Sequence, residues 1–445
     1  MCDSCAKDGA PANRRDEYAK RRMFDAHRGQ MYNGMAMNPQ ESRIEVLLEQ
    51  TDDGYFSRVR HSPVGPAAAR FAFSVTRREL DALWLALDAA HAAGEEDQRR
   101  LAAQLEGWGA RLFGALFADD VLDCLRASQQ AAFAAQSSLR IQLDLDAVPE
   151  VQRLPWEVLY DTGQSEYLGL SLHSPMARYA GLMHRLLPAK LSGPLRALVA
   201  VASPAGYPAI DVQREWLGLL DEIDYLGREK KLYVEWLQKP TLFDLQRRLR
   251  QGEYHILHFV GHSAFGAQTG EGQLVFEDEI GRSRAVSGQH LGAMLRDHFP
   301  LRLVVLTDSA AAPVRGEGRA FLHVARSLVQ RNVGAALATQ FPMPREAQLR
   351  FMARFYAEIA AMKPVDEAVL QARLALREEG IWWGAPALKT RVADGQLFDD
   401  GTAGEQPLPA SVELSIAARL NSLRIRTANL DTMARWGTEL PGPKQ

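Results

Sequence analysis

The chain has 445 residues, of which 47% are hydrophobic and 24% charged, a composition typical of a globular protein with a substantial core. Its 52 basic and 55 acidic residues nearly balance, which argues against a nucleic-acid-binding protein, and no apolar run reaches the length of a transmembrane helix. The first residues lack the apolar segment of a secretory signal, and three cysteines cannot form a disulfide framework. We therefore expect a cytoplasmic protein without direct contacts to nucleic acid or membrane.

The first half of the sequence predicts a small α/β domain behind a polar arm. Residues 1–40 show no steady periodicity and predict a flexible arm. Cys2 and Cys5 have the spacing of two zinc ligands, but a second pair of ligands is lacking, so we predict no metal there. Alternating hydrophobicity predicts strands at 42–50 and 139–145, and helical periodicity fills the sequence between them. We assign an N-terminal α/β domain to residues 41–190.

The second half alternates strand-like runs with helix-like ones, which is typical of a mostly parallel sheet flanked by helices. Short apolar runs predict strands at 195–201, 231–237, 254–260, 301–307 and 333–340. We assign a second α/β domain to residues 195–400, and we expect its last helix to run from Val365 to a C-cap at Gly380. Residues 401–445 predict a linker followed by a terminal helix.

Three histidines lie in the segment YHILHFVGHSAFG, at positions 255, 258 and 262. On a helix they would share one face, as a zinc site requires, but the apolar run before Gly261 favours a strand. In a strand His255 and His258 point to opposite faces, so we predict no metal site. His262 follows the strand end, where a loop can present it to a substrate.

Residues 261–265 also approach the nucleophile elbow G-x-S-x-G of the α/β hydrolases, with Ser263 as the nucleophile. The last glycine of that motif allows close packing between strand and helix, and Phe265 occupies its place. A serine hydrolase that uses Ser263 therefore stays only as an alternative. Trp156 and Trp383 are expected in the core rather than at a ligand.

A third interpretation pairs His262 with the end of the later strand LRLVVLTDS. In an open parallel sheet, sites form beyond the carboxyl ends of the strands, and both segments end there in small or polar residues. A base after one strand would then face a nucleophile after its neighbour. His262 is the candidate base, and the backbone N–H groups of Ser263 and Ser309 are candidates for binding an oxyanion.

These segments closely resemble the CHAT family of caspase-like peptidases, which are related to separase and the caspases. The resemblance covers about residues 140–400 and depends on an ordered series of motifs rather than on one. The motifs are LPWEVLYD, SPMARY, LRALVAVASP, YHILHFVGHS, GQLVFEDE, LRLVVLTDS, FLHVARSLVQRNVGAALATQFP, FYAEIAAMKPVDEAVLQAR and WWGAPALKTRVADGQLF.

The resemblance implies a His/Cys dyad with His262 as the catalytic base. The family's strand-end pattern, laid on Val304-Val305-Leu306-Thr307-Asp308, puts the catalytic cysteine at Ser309, where this chain has a hydroxyl instead of a thiol. Metacaspases carry Asp-Ser-Cys at this strand end, and that alternative puts the lost cysteine at Ala310. It also makes Asp308 a lining residue of a pocket for a basic side chain.

The resemblance further implies a cysteine endopeptidase that cuts a protein substrate, needs no cofactor, and acts as a regulated effector in bacterial defence or cell death. A protein activator or sensor is the expected partner. Because the thiol is missing, we expect the chain as written to be inactive; an introduced mutation and a natural pseudoprotease scaffold both account for the change. The acidic residues Glu277 and Asp278 are further candidates for substrate contacts.

Overall fold

The computed structural model of the chain describes residues 42–184, 186–309 and 317–399. The predicted N-terminal arm, the linker with its terminal helix, and Ala310 lie outside the described residues.

The described strands follow one another in two groups, before and after residue 191. The first group is β1 (Arg43–Thr51), β2 (Gly54–His61), β3 (Ala67–Arg70), β4 (Arg140–Asp144), β5 (Tyr160–Asp161), β6 (Glu166–Tyr167), β7 (Met176–Tyr179) and β8 (Ala189–Lys190). The second group is β9 (Leu195–Val201), β10 (Leu232–Leu237), β11 (Ile256–Val260), β12 (His262–Phe265), β13 (Gly272–Glu277), β14 (Ser283–Ser287), β15 (Leu303–Thr307), β16 (Ala335–Thr339), β17 (Pro386–Thr390) and β18 (Phe398–Asp399).

The described helices flank these strands. They are α1 (Arg77–Ala89), α2 (Glu95–Leu116), α3 (Asp119–Ala134), α4 (Val212–Arg228), α5 (Leu242–Gln251), α6 (Gly288–Leu295), α7 (Glu317–Gln330), α8 (Arg345–Ala360) and α9 (Val365–Leu374). The last helix ends before the predicted C-cap: residues 375–380 continue as turns, and Gly380 adopts a φ of 82° in that turn.

One eleven-stranded sheet runs through both halves of the chain, in the order β10-β9-β11-β15-β16-β17-β7-β4-β1-β2-β3. Most neighbouring strands are parallel; β17 is antiparallel to β16 and parallel to β7, so it joins the two halves. The expected boundary at residues 190–195 falls between β8 and β9. The predicted fold, a mostly parallel sheet flanked by helices with a smaller N-terminal α/β part, is confirmed.

The central strands are apolar along their whole length because both faces of the sheet are covered. Successive side chains of β15 alternate: Val305 packs into one apolar cluster with Trp216 of α4 and Phe355 of α8. Val304 and Leu306 pack into a second cluster, on the face covered by α7 and by the small sheet β12-β13-β14. Trp156 and Trp383, expected in the core, are buried.

A buried ion pair of the first half also binds a residue of the second half. Arg178 of β7 donates through Nε and an Nη to the carboxylate of Glu157, at 2.8 and 2.6 Å, and both side chains are buried. Gln340, just after β16, donates from Nε2 to the same carboxylate at 2.8 Å. Burial alone raises the pKa of Glu157, but the charge and hydrogen bonds of Arg178 outweigh it and hold that pKa below its usual value.

Replacing Glu157 by alanine should destabilise the fold by about 3–5 kcal/mol, since it leaves the buried Arg178 without its counter-charge. Glu96→Ala is a suitable control, because the Glu96–Arg100 pair is exposed and should contribute less than about 1 kcal/mol. Urea unfolding at pH 7 measures both changes. Equal losses in the two variants would contradict a stabilising role for this buried pair.

Candidate active site

His262 and Ser309 occupy equivalent positions beyond two neighbouring parallel strands. The pairing between β11 and β15 ends at Val260 and Thr307. His262 lies two residues after Val260, and Ser309 lies two residues after Thr307. The Gly261 N–H donates to the Thr307 carbonyl at 3.1 Å, so the pairing extends one residue further. Adjacent strands lie about 4.8 Å apart, and the two positions therefore lie at neighbouring tips of one sheet edge.

Gly261 allows this close approach. A Cβ atom at this position would lie 2.8 Å from the Phe259 ring and 3.3 Å from the Ala202 carbonyl oxygen. The glycine thus lets the chain leave the central sheet directly into β12, which begins at His262. The expected loop at His262 is therefore wrong, because the residue lies in a strand and is buried.

The imidazole of His262 is buried and has a defined tautomer. Its Nε2 lies 2.8 Å from the carbonyl oxygen of Pro208, and a carbonyl can only accept, so Nε2 carries the proton. In the neutral ring, Nδ1 is then the basic nitrogen. The ring of Tyr207 lies against the imidazole with centroids 5.1 Å apart. These two contacts fix the ring, and the role of His262 as a catalytic base remains a prediction.

Pro208 and Tyr207 belong to the β9–α4 loop, residues 202–211, and Glu277 anchors that loop. The Ser203 N–H donates to Glu277 Oε1 at 2.8 Å, and the Ser203 hydroxyl accepts from the Ile210 N–H at 2.9 Å. Glu277, predicted to contact substrate, is thus engaged in holding the loop that orients His262.

Asp278, the neighbouring acidic candidate, closes the β13–β14 turn. Its Oδ1 accepts from the N–H groups of Ile280 and Arg282 at 3.0 and 2.8 Å. A contact between Asp278 and substrate remains a prediction.

Ser309 is buried, with 1% of its surface exposed, and its hydroxyl donates to Glu215 Oε1 at 2.7 Å. Glu215 lies in the first turn of α4, where the helix dipole favours a negative charge. The sequence analysis missed Glu215. The available signal was its spacing, because Glu215 lies on the same helical stripe as the buried Leu219 and Ile223.

Asp308 precedes Ser309 and is also buried. The Thr339 hydroxyl donates to its carboxylate at 3.0 Å, and Gln348 donates to its backbone carbonyl at 3.0 Å. Burial raises the pKa of Asp308 to about 6, and the nearby charge of Glu215 adds to the increase. Two carboxyl groups thus lie at the candidate nucleophile position.

The other histidines of the cluster have separate surroundings. His258 lies between the Thr307 hydroxyl, 3.2 Å from Nε2, and the Tyr356 hydroxyl, 3.0 Å from Nδ1, and burial lowers its pKa to about 3. His255 accepts from the Arg196 N–H at 3.0 Å, and mainly burial lowers its pKa to about 4. Among the described residues, no three His, Cys, Asp or Glu side chains gather as a metal-binding group.

Ser263 lies in a strand, not in a nucleophile elbow. An elbow needs a strand, a sharp turn and a helix, whereas β12 pairs antiparallel with β13, with Ser263 opposite Leu274. The local geometry therefore does not support the alternative of a serine hydrolase using Ser263. The oxyanion-binding role of the Ser263 and Ser309 N–H groups remains a prediction.

Comparison with known proteins gives one family. A model described as the CHAT domain matches residues 107–390, more than half of the chain. No curated protein sequence is significantly similar to the chain. In the part of the chain that is described, no helix is long and apolar enough to cross a membrane.

Solved structures of similar shape include two kinds of protein. The separase of Saccharomyces cerevisiae, solved with securin, has a TM-score of 0.42 and 9% identity, covering 83% of this chain and 31% of the separase chain. The Arg-specific cysteine proteinase gingipain R has a TM-score of 0.35 and 9% identity, covering 68% and 76% of the two chains. A complex of Porphyromonas gingivalis gingipain pro- and mature domains has a TM-score of 0.36 and 7% identity, covering 69% of this chain and 79% of the gingipain chain. This chain thus spans about a third of the separase chain.

Asp308→Asn should stabilise the fold at pH 7 by about 1–3 kcal/mol, because a carboxyl with a pKa near 6 is ionised there at a cost. The raised pKa means that the native state holds this proton more tightly than the unfolded state, so the wild type loses stability as pH rises from about 4 to 6. Urea unfolding should show a gain that shrinks towards pH 4. The exposed Asp297→Asn serves as control, and a gain that is the same at both pH values would contradict the assignment.

Proposed function

We propose, from the premise that this chain belongs to the CHAT domain family, that it is a form of a caspase-like cysteine endopeptidase in which the nucleophile is replaced. His262 would be the base and position 309 the nucleophile position. The observation that carries the proposal is the equal offset of these two residues beyond the paired ends of β11 and β15. Ser309 in place of cysteine would leave the chain inactive or nearly so.

In a form with cysteine at 309, His262 Nδ1 would accept the thiol proton while Nε2 stays bonded to Pro208. The thiolate would attack the peptide carbonyl carbon, and the N–H groups of residues 263 and 309 would bind the oxyanion. His262 would then give its proton to the leaving amine. Water would hydrolyse the acyl-enzyme, with His262 again as the base.

Two properties of Ser309 argue against the same reaction with serine as the nucleophile. A hydroxyl ionises far less readily than a thiol and needs stronger activation. Its single proton is donated to Glu215, so it is not positioned for transfer to the imidazole. The same hydrogen bond supports a second candidate function, a natural pseudoprotease scaffold that binds a protein without cutting it.

The substrate would be a protein with a basic side chain before the cleaved bond. Support comes from the two carboxyl groups of Asp308 and Glu215 beside the nucleophile position. Both are buried in this structure, so a substrate would first have to displace what covers them.

We further propose a regulated effector of bacterial defence or cell death, switched on by a separate protein. The support is the closed site: His262 has no exposed surface and Ser309 has 1%. A partner that moves the β9–α4 loop would uncover the imidazole, since Tyr207 and Pro208 both belong to that loop.

Ser309→Cys should create peptidase activity that the wild type lacks, because it supplies a thiol at the strand tip beside His262. Fluorogenic peptides with arginine or lysine before the leaving group provide the measurement, with autocleavage followed by mass spectrometry. Adding His262→Ala should lower the rate by at least about 100-fold.

Ala310→Cys is the matched control for the alternative alignment. Activity in Ala310→Cys alone would show that the nucleophile position is 310 rather than 309. Because an activator is expected, both variants are assayed with and without each co-encoded protein. If neither variant then cleaves any peptide or any co-encoded protein, the scaffold function is favoured and the peptidase is rejected.

Glu215→Gln in the Ser309→Cys background should lower the pKa of the new thiol, because it removes a negative charge within hydrogen-bond distance. The pH dependence of iodoacetamide alkylation gives this pKa, and we expect a decrease of about one unit. Glu222→Gln, farther along α4, is the control. An unchanged thiol pKa would show that residues 215 and 309 do not interact.

A further inference from the structure

A cavity with basic walls lies outside the candidate active site. It has a volume of about 320 Å³ and lies between α1, the segment after β4, and α7. Volumes of this size are typical of sites for small organic molecules. None of the residues with a role in the proposed mechanism lines this cavity.

Cations outnumber acids on its walls. Arg153, Arg319, Arg326 and Lys389 line the cavity with Arg178, whereas Asp81 and Asp146 are the acids among its lining residues. Arg178 is already neutralised by Glu157.

These two acids and Asp88, which lies 3.5 Å from Arg319 Nη1, do not balance the four remaining cations. Asp146 is shared, since its Oδ1 lies 2.9 Å from Lys389 Nζ and 3.3 Å from Arg326 Nε. Asp81 is largely exposed and lies 3.7 Å from Arg77 Nε.

One donor atom of the Arg326 guanidinium, its Nε, lacks a hydrogen-bond acceptor. The buried Nε of Arg326 is close to Asp146, but the geometry does not form a hydrogen bond. Its Nη2 donates to the Asp146 backbone carbonyl at 3.4 Å, and an anionic acceptor in the cavity would offer a stronger, charge-assisted hydrogen bond. The guanidinium of Arg319 lies over the Trp84 ring at 5.5 Å and faces the same space.

His323, also in the wall, reports the local positive charge. Burial lowers its pKa, and the charges of Arg153 and Arg326 lower it further. An anion bound between these side chains would reverse the electrostatic part of that shift.

Most of the remaining wall is apolar, formed by side chains such as Leu80, Trp84, Leu145 and Leu322. We propose that the cavity binds a small organic phosphate, with the phosphate on Arg326 and Arg153 and the organic part against the apolar wall. Guanidinium groups match phosphate oxygens in charge and geometry.

Such a ligand would contact segments next to both dyad positions. Phe265, in the wall, belongs to the same strand as His262, and α7 is the first described element after Ser309. The ligand would also bridge α1 to α7, where Arg319 lies 3.5 Å from Asp88. It would thus be placed to stabilise one arrangement of the peptidase site.

Binding can be tested on the wild-type chain, independently of peptidase activity. AMP, ADP and glucose 6-phosphate are titrated by calorimetry at 150 mM salt, with adenosine and glucose as uncharged controls. We expect at least one phosphate to bind and its uncharged counterpart not to bind. Arg326→Gln should weaken binding at least tenfold, whereas Arg331→Gln, exposed just beyond α7, should change it less than twofold.

A second measurement covers the case in which Arg326→Gln does not fold. The NMR titration of His323, assigned with His323→Gln, should show its pKa rising when the phosphate binds to the wild type. Absence of binding by all three phosphates, equal weakening in Arg326→Gln and Arg331→Gln, or an unchanged His323 pKa would each overturn the proposal.

Discussion

The candidate site depends on one constraint, the parallel register of β11 and β15. Backbone hydrogen bonds fix Val260 opposite Thr307, and the two chains then leave the sheet at the same height. A shift of one residue would turn His262 or Ser309 to the other face, so the apolar alternation of the strands also specifies which face the site uses. Core packing and site geometry are therefore consequences of the same sequence pattern.

Around this register, polar groups from distant segments orient the site. The loop after β9 supplies the Pro208 carbonyl to the imidazole, and Glu277 from the small antiparallel sheet holds that loop. Helix α4 supplies Glu215 to the serine hydroxyl. The first contact fixes the tautomer of the imidazole, and the second directs the Ser309 hydroxyl proton towards a carboxylate.

The sequence predicted the sheet, its flanking helices and the strand-end positions of His262 and Ser309, because continuous apolar runs followed by polar residues mark buried parallel strands. It did not predict Glu215 or Pro208. Both act through contacts between residues far apart in sequence, and a carboxylate on a helix carries no local sign of its partner. The early end of α9 before Gly380 was also missed, since turns that follow a helix continue its periodicity.

The central claim is that positions 262 and 309 lie at neighbouring strand tips, and a crosslink tests it most directly. Adjacent strands are about 4.8 Å apart, within the Cα separation that a disulfide spans. In a variant with both His262→Cys and Ser309→Cys, mild oxidation should yield one peptide pair joining the two positions, seen by mass spectrometry and absent from each single variant. Two thiols that remain free and are alkylated independently after oxidation would contradict the account.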